Sequence, residues 1–478
     1  MVFSSGEFLF FYLPISLILY FLVPFHYRNL TLFLVSAIFY AWEKPVYLLI
    51  MLFVIIINYA FGYFIDALRD NKEKCKRVLI FGIITNIVVL GFFKYADFLL
   101  ENLSRIPFLN FIKPIGISLP IGISFYVFQS MSYIIDVYRK DARVQRKFAN
   151  FGAYVSMFPQ LIAGPIVRYS DVDEQLNNRA HSVGASASGV RRFIVGLSKK
   201  VLLADTAGAL WEYIEDIPRE ETCVLLLWFG IILYTCQIYF DFSGYSALAI
   251  GLGKILGFDF PENFNYPYIS KSITEFWRRW HITVSTRFRE YVYIPLGGNR
   301  CGTKRLVLNL LIVWFLTGLW HGASWNFVLW GVYYFALLVI EKLFLLKKLD
   351  KLPSAISHTY ALFFIVVGWL IFYFKPDFGG FSALSSYFGG MFGFSGLPFI
   401  NGEFGYTFIR NFLFFIILCF ASTPYPKAWF LKIASKINSE NKKFVFTVVF
   451  DTVLTVIFTL CIVYIVSSEY RPNIYFEF

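Results

Sequence analysis

Two histidines carry the chemistry this sequence offers: His281 and His321 stand 40 residues apart, each directly after a tryptophan, in FWRRWHITV and TGLWHGASW. A neutral imidazole, with an unperturbed pKa of about 6.5, can act as general base on a hydroxyl acceptor. His321 follows a fifteen-residue apolar run and precedes Gly322, Ala323 and Ser324. It is therefore expected at membrane depth where a helix breaks, and an ionisable group placed there points to function, because its burial is costly. The competing reading is a histidine whose ring nitrogens bridge two helices. His281 lies within residues 276–294, where Trp277, Trp280, Phe288, Tyr291 and Tyr293 alternate with Arg278, Arg279, Arg287, Arg289 and Glu290. That composition predicts an amphipathic helix in the inner headgroup region, its arginines free to meet lipid phosphates or an anionic cofactor. An interfacial anchor with an exposed His281 fits the same composition. Asp241, in YFDFSGYSALAIG, and Asp451 are further intramembrane carboxylates, and structural roles are expected for both.

The elements that must position these residues are apolar helices. At 478 residues, 58% hydrophobic and 21% aromatic, the chain is far more apolar than a soluble domain, where roughly half the residues are apolar. It reads as one all-α polytopic membrane domain over residues 1–478. The charge of +12 sits in short loops between apolar runs, which is the positive-inside pattern and not a nucleic-acid footprint. Six scattered cysteines, without a C-x-x-C pair or a histidine at ligand spacing, support neither a disulfide framework nor a metal site. The N-terminal apolar run has no Lys or Arg before Arg28, so it is expected to be a retained helix, not a signal peptide.

Ten spans are expected: residues 8–25, 29–42, 45–65, 78–96, 115–135, 306–320, 327–346, 360–374, 406–420 and 444–466. Basic loops at 66–77 and 139–147 should face the cytoplasm. Residues 148–167, broken by Pro159, Gly164 and Pro165, and residues 224–258, interrupted by Asp241, Ser243, Gly244 and Tyr245, are expected to form re-entrant hairpins lining a protein-buried cavity. With both hairpins returning inside, the count places the two ends of the chain on the outer face.

The pieces LPIGISFYVFQSMSYIIDVYR, FPQLIAGPIVRY, DFSGYSALAIG, FPENFNYP, EFWRRWHITVSTRFREYVYIPLGG and GLWHGASWNFVLWG occur in order along nearly the whole chain. In them the sequence resembles the membrane-bound O-acyltransferase (MBOAT) family, in its bacterial alginate O-acetylation branch. The resemblance implies a ring of about ten transmembrane helices plus re-entrant hairpins around a central funnel, a catalytic His321, and His281 lining the cytoplasmic side of the tunnel. It also implies a multi-pass protein of the bacterial cytoplasmic (inner) membrane. The implied donor is a thioester, commonly acetyl-CoA, acting as substrate and not as a permanently bound cofactor; the charges of Arg278, Arg279 and Arg287 suit its phosphates. The tail, residues 467–478, ends in NIYFEF. This resembles the acyl-carrying hexapeptide of envelope-acylation systems, whose tyrosine, here Tyr475, receives the acyl group and passes it to an extracytoplasmic hydrolase-fold acyltransferase for a polysaccharide acceptor. Two other functions remain open at this point: a D-alanyl transferase for teichoic acids, and a transporter or flippase of lipid-linked sugars.

Overall fold

A computed structural model describes residues 1–42, 44–162 and 164–467 of the chain. These residues form helices and connections with no strand among them, so the chain is an all-α polytopic membrane protein. Among the described residues eight helices are long and apolar enough to cross a bilayer: Pro45–Ala67, Lys72–Ser104, Val224–Ile255, Gly302–His321, Trp325–Leu349, Ser354–Tyr373, Gly402–Ala421 and Glu440–Ser467. A further apolar helix, Phe8–Leu22, is shorter. Seven of these eight answer to expected spans. The expected spans at 29–42 and 115–135 are shorter helices, Arg28–Ala41 and Ile123–Arg139. The second begins late because Pro120 and the left-handed Gly122 hold the preceding chain out of helical geometry.

The eighth long helix corrects the expected hairpin at 224–258. Val224–Ile255 is one unbroken helix of 32 residues, and 83% of its most apolar stretch is buried inside the protein. Asp241 does not break it, because the Lys200 ammonium meets its carboxylate at 2.6 Å. A side-chain partner satisfies the polar group without disturbing the backbone ladder. The count that placed both chain ends outside relied on this stretch returning and loses that support.

The chain divides into two compact units. The first comprises residues 1–197 and 245–261. Here Asn58 and Asn86 exchange amide hydrogen bonds of 3.0 and 2.8 Å between two long helices. The apolar stretch at 148–167 is helical over Phe148–Ser156 and Phe158–Leu161, with a break at Met157. There the Phe158 N–H donates to Ser36 Oγ at 3.0 Å, so the interrupted backbone is satisfied internally, as such a break requires.

The second unit comprises residues 198–244 and 262–467 of the described chain and holds both histidines of interest. Its tightest helix pair is Gly302–His321 against Trp325–Leu349. A Cβ on Gly318 would meet the Phe327 carbonyl oxygen at 2.4 Å, and one on Gly331 would meet that of Trp314 at 2.4 Å. Small residues let the two backbones approach this closely. Gly331→Leu is therefore expected to destabilise the protein by about 1–3 kcal/mol through overpacking, read as a lower melting temperature and a smaller monodisperse fraction in detergent.

Candidate active site

His321 closes the helix Gly302–His321, and the chain leaves through Gly322 in an extended conformation. A side chain at Gly322 would strike the Phe327 ring at 2.3 Å, so the glycine lets the chain turn tightly into the next helix. The imidazole is caged by aromatic rings, with centroids at 4.9 Å from Trp320, 4.9 Å from Trp330 and 5.1 Å from Phe372. It is half-buried, which leaves it access to the cavity described below.

His281 sits differently from the expected amphipathic helix. The stretch splits into Ile273–Arg279 and Ile282–Phe288, followed by a π-helical turn, Arg289–Tyr293. His281 stands at the break with φ 45° and ψ 51°, a left-handed conformation that is uncommon outside glycine and collects at functional sites. It is 3% exposed, which disposes of the exposed-anchor reading.

Asn263 holds this break. Its carbonyl accepts from the Ile282 N–H at 3.0 Å, and its Oδ1 accepts from the Thr283 N–H at 3.2 Å and the Thr283 hydroxyl at 2.9 Å. The same Oδ1 lies 3.1 Å from His281 Nδ1. A backbone N–H can only donate, so the Asn263 atom it meets is the oxygen, and His281 Nδ1 must carry the proton. Nε2 is then a bare lone pair, and it is buried without a hydrogen-bond partner among the described residues. Burial first, and the neighbouring His321 second, push the His281 pKa well below the ordinary imidazole value, which keeps the ring neutral.

Both histidines line one cavity of about 350 Å³, together with Trp277, Arg278, Ser285, Arg289, Tyr293, Asn299, Thr317 and Lys342. Of the three arginines assigned from sequence to an anionic ligand, Arg278 lines it. Arg279 is engaged by Glu275 at 2.8 Å, and Arg287 is buried with Glu290 at 3.8 Å. Arg289 and Lys342 supply the further cations. Lys342 Nζ donates to Asn299 Oδ1 at 2.7 Å and to the Tyr293 hydroxyl at 3.2 Å. Next to it, the fully buried Glu341 accepts from the Ile273 N–H at 2.6 Å, the Thr274 N–H at 2.8 Å and the Thr274 hydroxyl at 2.6 Å. That carboxylate pins the start of the helix bearing Trp277 and Arg278, where a negative charge suits the unpaired N–H groups.

Sequence reasoning passed over Asn263, Glu341 and Lys342 as site residues. The signal for Asn263 lay in FPENFNYP, a polar segment between two apolar ones; Glu341 and Lys342 gave none beyond an acid and a base at a helix end. Tyr475 lies outside the described residues. Among the described residues no group of three or more His, Cys, Asp or Glu side chains could hold a metal ion.

Residues 138–373 match the model of the membrane-bound O-acyltransferase family, and that stretch contains both histidines and every cavity residue. The chain is 45% identical to the probable alginate O-acetylase AlgI of Azotobacter vinelandii over 375 residues, 78% of this chain and 75% of that one. It is 34% identical to the peptidoglycan O-acetyltransferase of Helicobacter pylori over 407 residues, 78% and 77% of the two chains. Similarity to the teichoic acid D-alanyltransferase of Bacillus subtilis is lower and shorter, 28% over 279 residues, 54% and 69% of the two chains.

Proposed function

We propose, for a chain that belongs to the membrane-bound O-acyltransferase family, that the cavity between His281 and His321 is where an acetyl group leaves a cytoplasmic thioester for a hydroxyl acceptor. The protein is a multi-pass membrane O-acyltransferase, which sets the transporter reading aside. Acetyl-CoA is the donor proposed here, an extracytoplasmic polysaccharide the final acceptor, and the bacterial inner membrane the location. The higher identity and wider coverage of the two O-acetylating relatives favour acetyl over D-alanyl as the group carried.

The observation that carries the assignment is the bare, buried Nε2 of His281 in the same cavity as the caged His321. In this reading His321 removes the proton from the acceptor hydroxyl. The oxygen attacks the thioester carbonyl, the carbon–sulfur bond breaks, and the proton passes to the departing thiolate. His281, protonated on Nδ1, presents only an acceptor at Nε2. It therefore orients a donating hydroxyl and cannot stabilise a developing oxyanion. Arg278, Arg289 and Lys342 are the cations available to donor phosphates. Replacing Asn263 by Leu frees the tautomer and orientation of His281, and kcat is expected to fall on the order of 10- to 100-fold in a thiol-release assay with acetyl-CoA.

The acceptor proposed for the first transfer is the Tyr475 hydroxyl, from which an extracytoplasmic hydrolase-fold acyltransferase takes the acetyl group. A covalent acyl-tyrosine divides transmembrane delivery into two group transfers. A phenol of pKa about 10 requires a base such as His321. Incubating the full chain with isotopically labelled acetyl-CoA and mapping the label by peptide mass spectrometry tests this step. Label is expected on the C-terminal peptide of the wild type and absent after Tyr475→Phe. An unlabelled wild type that still releases thiol would remove the tyrosine relay and leave direct transfer.

A further inference from the structure

One helix face in the histidine cavity carries a polar group with no role so far. His281, Val284, Ser285 and Phe288 line the cavity together, at the i, i+3, i+4 and i+7 spacing of a single side of a helix. The Ser285 N–H donates to the His281 carbonyl at 3.0 Å, so Ser285 stands one turn beyond the histidine on that side. Val284 and Phe288 are buried and apolar, whereas Ser285 is half-buried and keeps access to the cavity.

A thioester carbonyl under attack develops negative charge on its oxygen, and a pre-placed hydrogen-bond donor at that oxygen lowers the barrier. The histidines do not supply the donor. His281 Nε2 is a bare acceptor, and His321 is the proposed base. Three of the cavity hydroxyls are committed: Thr274 donates to Glu341 at 2.6 Å, Thr317 to the Val313 carbonyl at 2.7 Å, and Tyr293 to Asn299 Oδ1. The Trp277 indole N–H has no partner among the described residues, but it is buried. The remaining hydroxyl, that of Ser285, gives its proton to no described residue and borders the cavity.

We infer that Ser285 is a further catalytic residue, whose hydroxyl donates a hydrogen bond to the thioester carbonyl oxygen as that oxygen becomes an oxyanion; this rests on the reading of the cavity as the transfer site. The acceptor oxygen bonds to the carbonyl carbon, and the electron pair of the C=O double bond moves onto its oxygen. Ser285 stabilises that charge and keeps its own proton. The carbonyl then re-forms, the carbon–sulfur bond breaks, and the thiolate leaves with the proton held by His321.

Turnover and spectroscopy of the purified full chain test this role. Ser285→Ala removes one oxygen from a side chain without a partner, so the fold should be kept. Its kcat with acetyl-CoA is expected to fall on the order of 100-fold, with KM little changed. Ser285→Thr restores the hydroxyl and should recover most of the turnover. Thr286→Ala, one position off the cavity face, should keep all of it. The second readout is the infrared C=O stretch of an isotopically labelled ketone analogue of acetyl-CoA bound to the protein. A hydrogen bond from Ser285 weakens the C=O bond, so the band is expected at lower wavenumber in the wild type than in Ser285→Ala, whereas a merely structural role would leave it in place. Wild-type turnover in Ser285→Ala, or a band that does not move, would overturn the role of Ser285. His321→Ala, measured alongside, separates this from the reading beneath it: if that variant also turns over at the wild-type rate, the cavity is not the transfer site and the Ser285 assignment falls with it.

Discussion

Replacing His321 by Ala is expected to lower acyl transfer on the order of 10²- to 10⁴-fold, the usual contribution of a positioned general base. The fold should survive, because the ring borders the cavity and its neighbours Trp330 and Phe372 also contact each other, at 5.5 Å. The loss should appear in kcat with the donor KM little changed, since the proposed role of His321 is on the acceptor proton, whereas the cations Arg278, Arg289 and Lys342 are the groups proposed to hold the donor on the same cavity wall. Thiol release from acetyl-CoA, measured beside the melting temperature of the same preparation, separates the two effects. An Ala variant that keeps wild-type turnover would remove the base from the mechanism. One that loses turnover and melting temperature together would make His321 a structural bridge.

Replacing Lys200 by Met should have the largest effect on stability. Lys200 is 1% exposed and holds the carboxylates of Asp205 at 2.7 Å and Asp241 at 2.6 Å, which are 6% and 1% exposed. One ammonium thus serves two buried acids. Without it both would face an apolar surrounding unpaired, at a cost of about 3–5 kcal/mol for breaking such a network. The consequence reaches the site, because Phe242, next to Asp241, packs edge-on against the His281 ring at 4.5 Å. Lys200→Met is expected to reduce the folded yield sharply in detergent, and Lys200→Met combined with Asp241→Leu to recover part of it by removing one orphaned acid. If the single variant melts like the wild type, the ion network is not what holds the Val224–Ile255 helix.

The two central histidines were legible because their signals are local. An apolar run that stops at W-H-G announces a helix end, and Gly322 fits there because any side chain would meet Phe327. The apolar spans were legible for the same reason, since length and composition are properties of a single segment. The hairpin expected at 224–258 was misread because the partner of Asp241 is Lys200, which no local pattern reveals; alone, an Asp-Phe-Ser-Gly segment reads as a helix breaker. The arginines do not all face one cavity, because the chain breaks at His281. In the folded chain Arg278 and Arg289 line the cavity, whereas Arg279 meets Glu275 and Arg287 lies against Glu290. Asn263, gripping residues 281–283 from across the chain, and Glu341, capping Ile273–Arg279 from another helix, act through contacts that only the folded chain brings together.

A structure of the full chain bound to a non-hydrolysable acetyl-CoA analogue, in which a ketone replaces the thioester, would show directly whether acyl transfer takes place between the two histidines. The acetyl carbonyl is expected between His281 and His321, with the phosphates toward Arg278, Arg289 and Lys342. An acetyl group seated away from both histidines would contradict it.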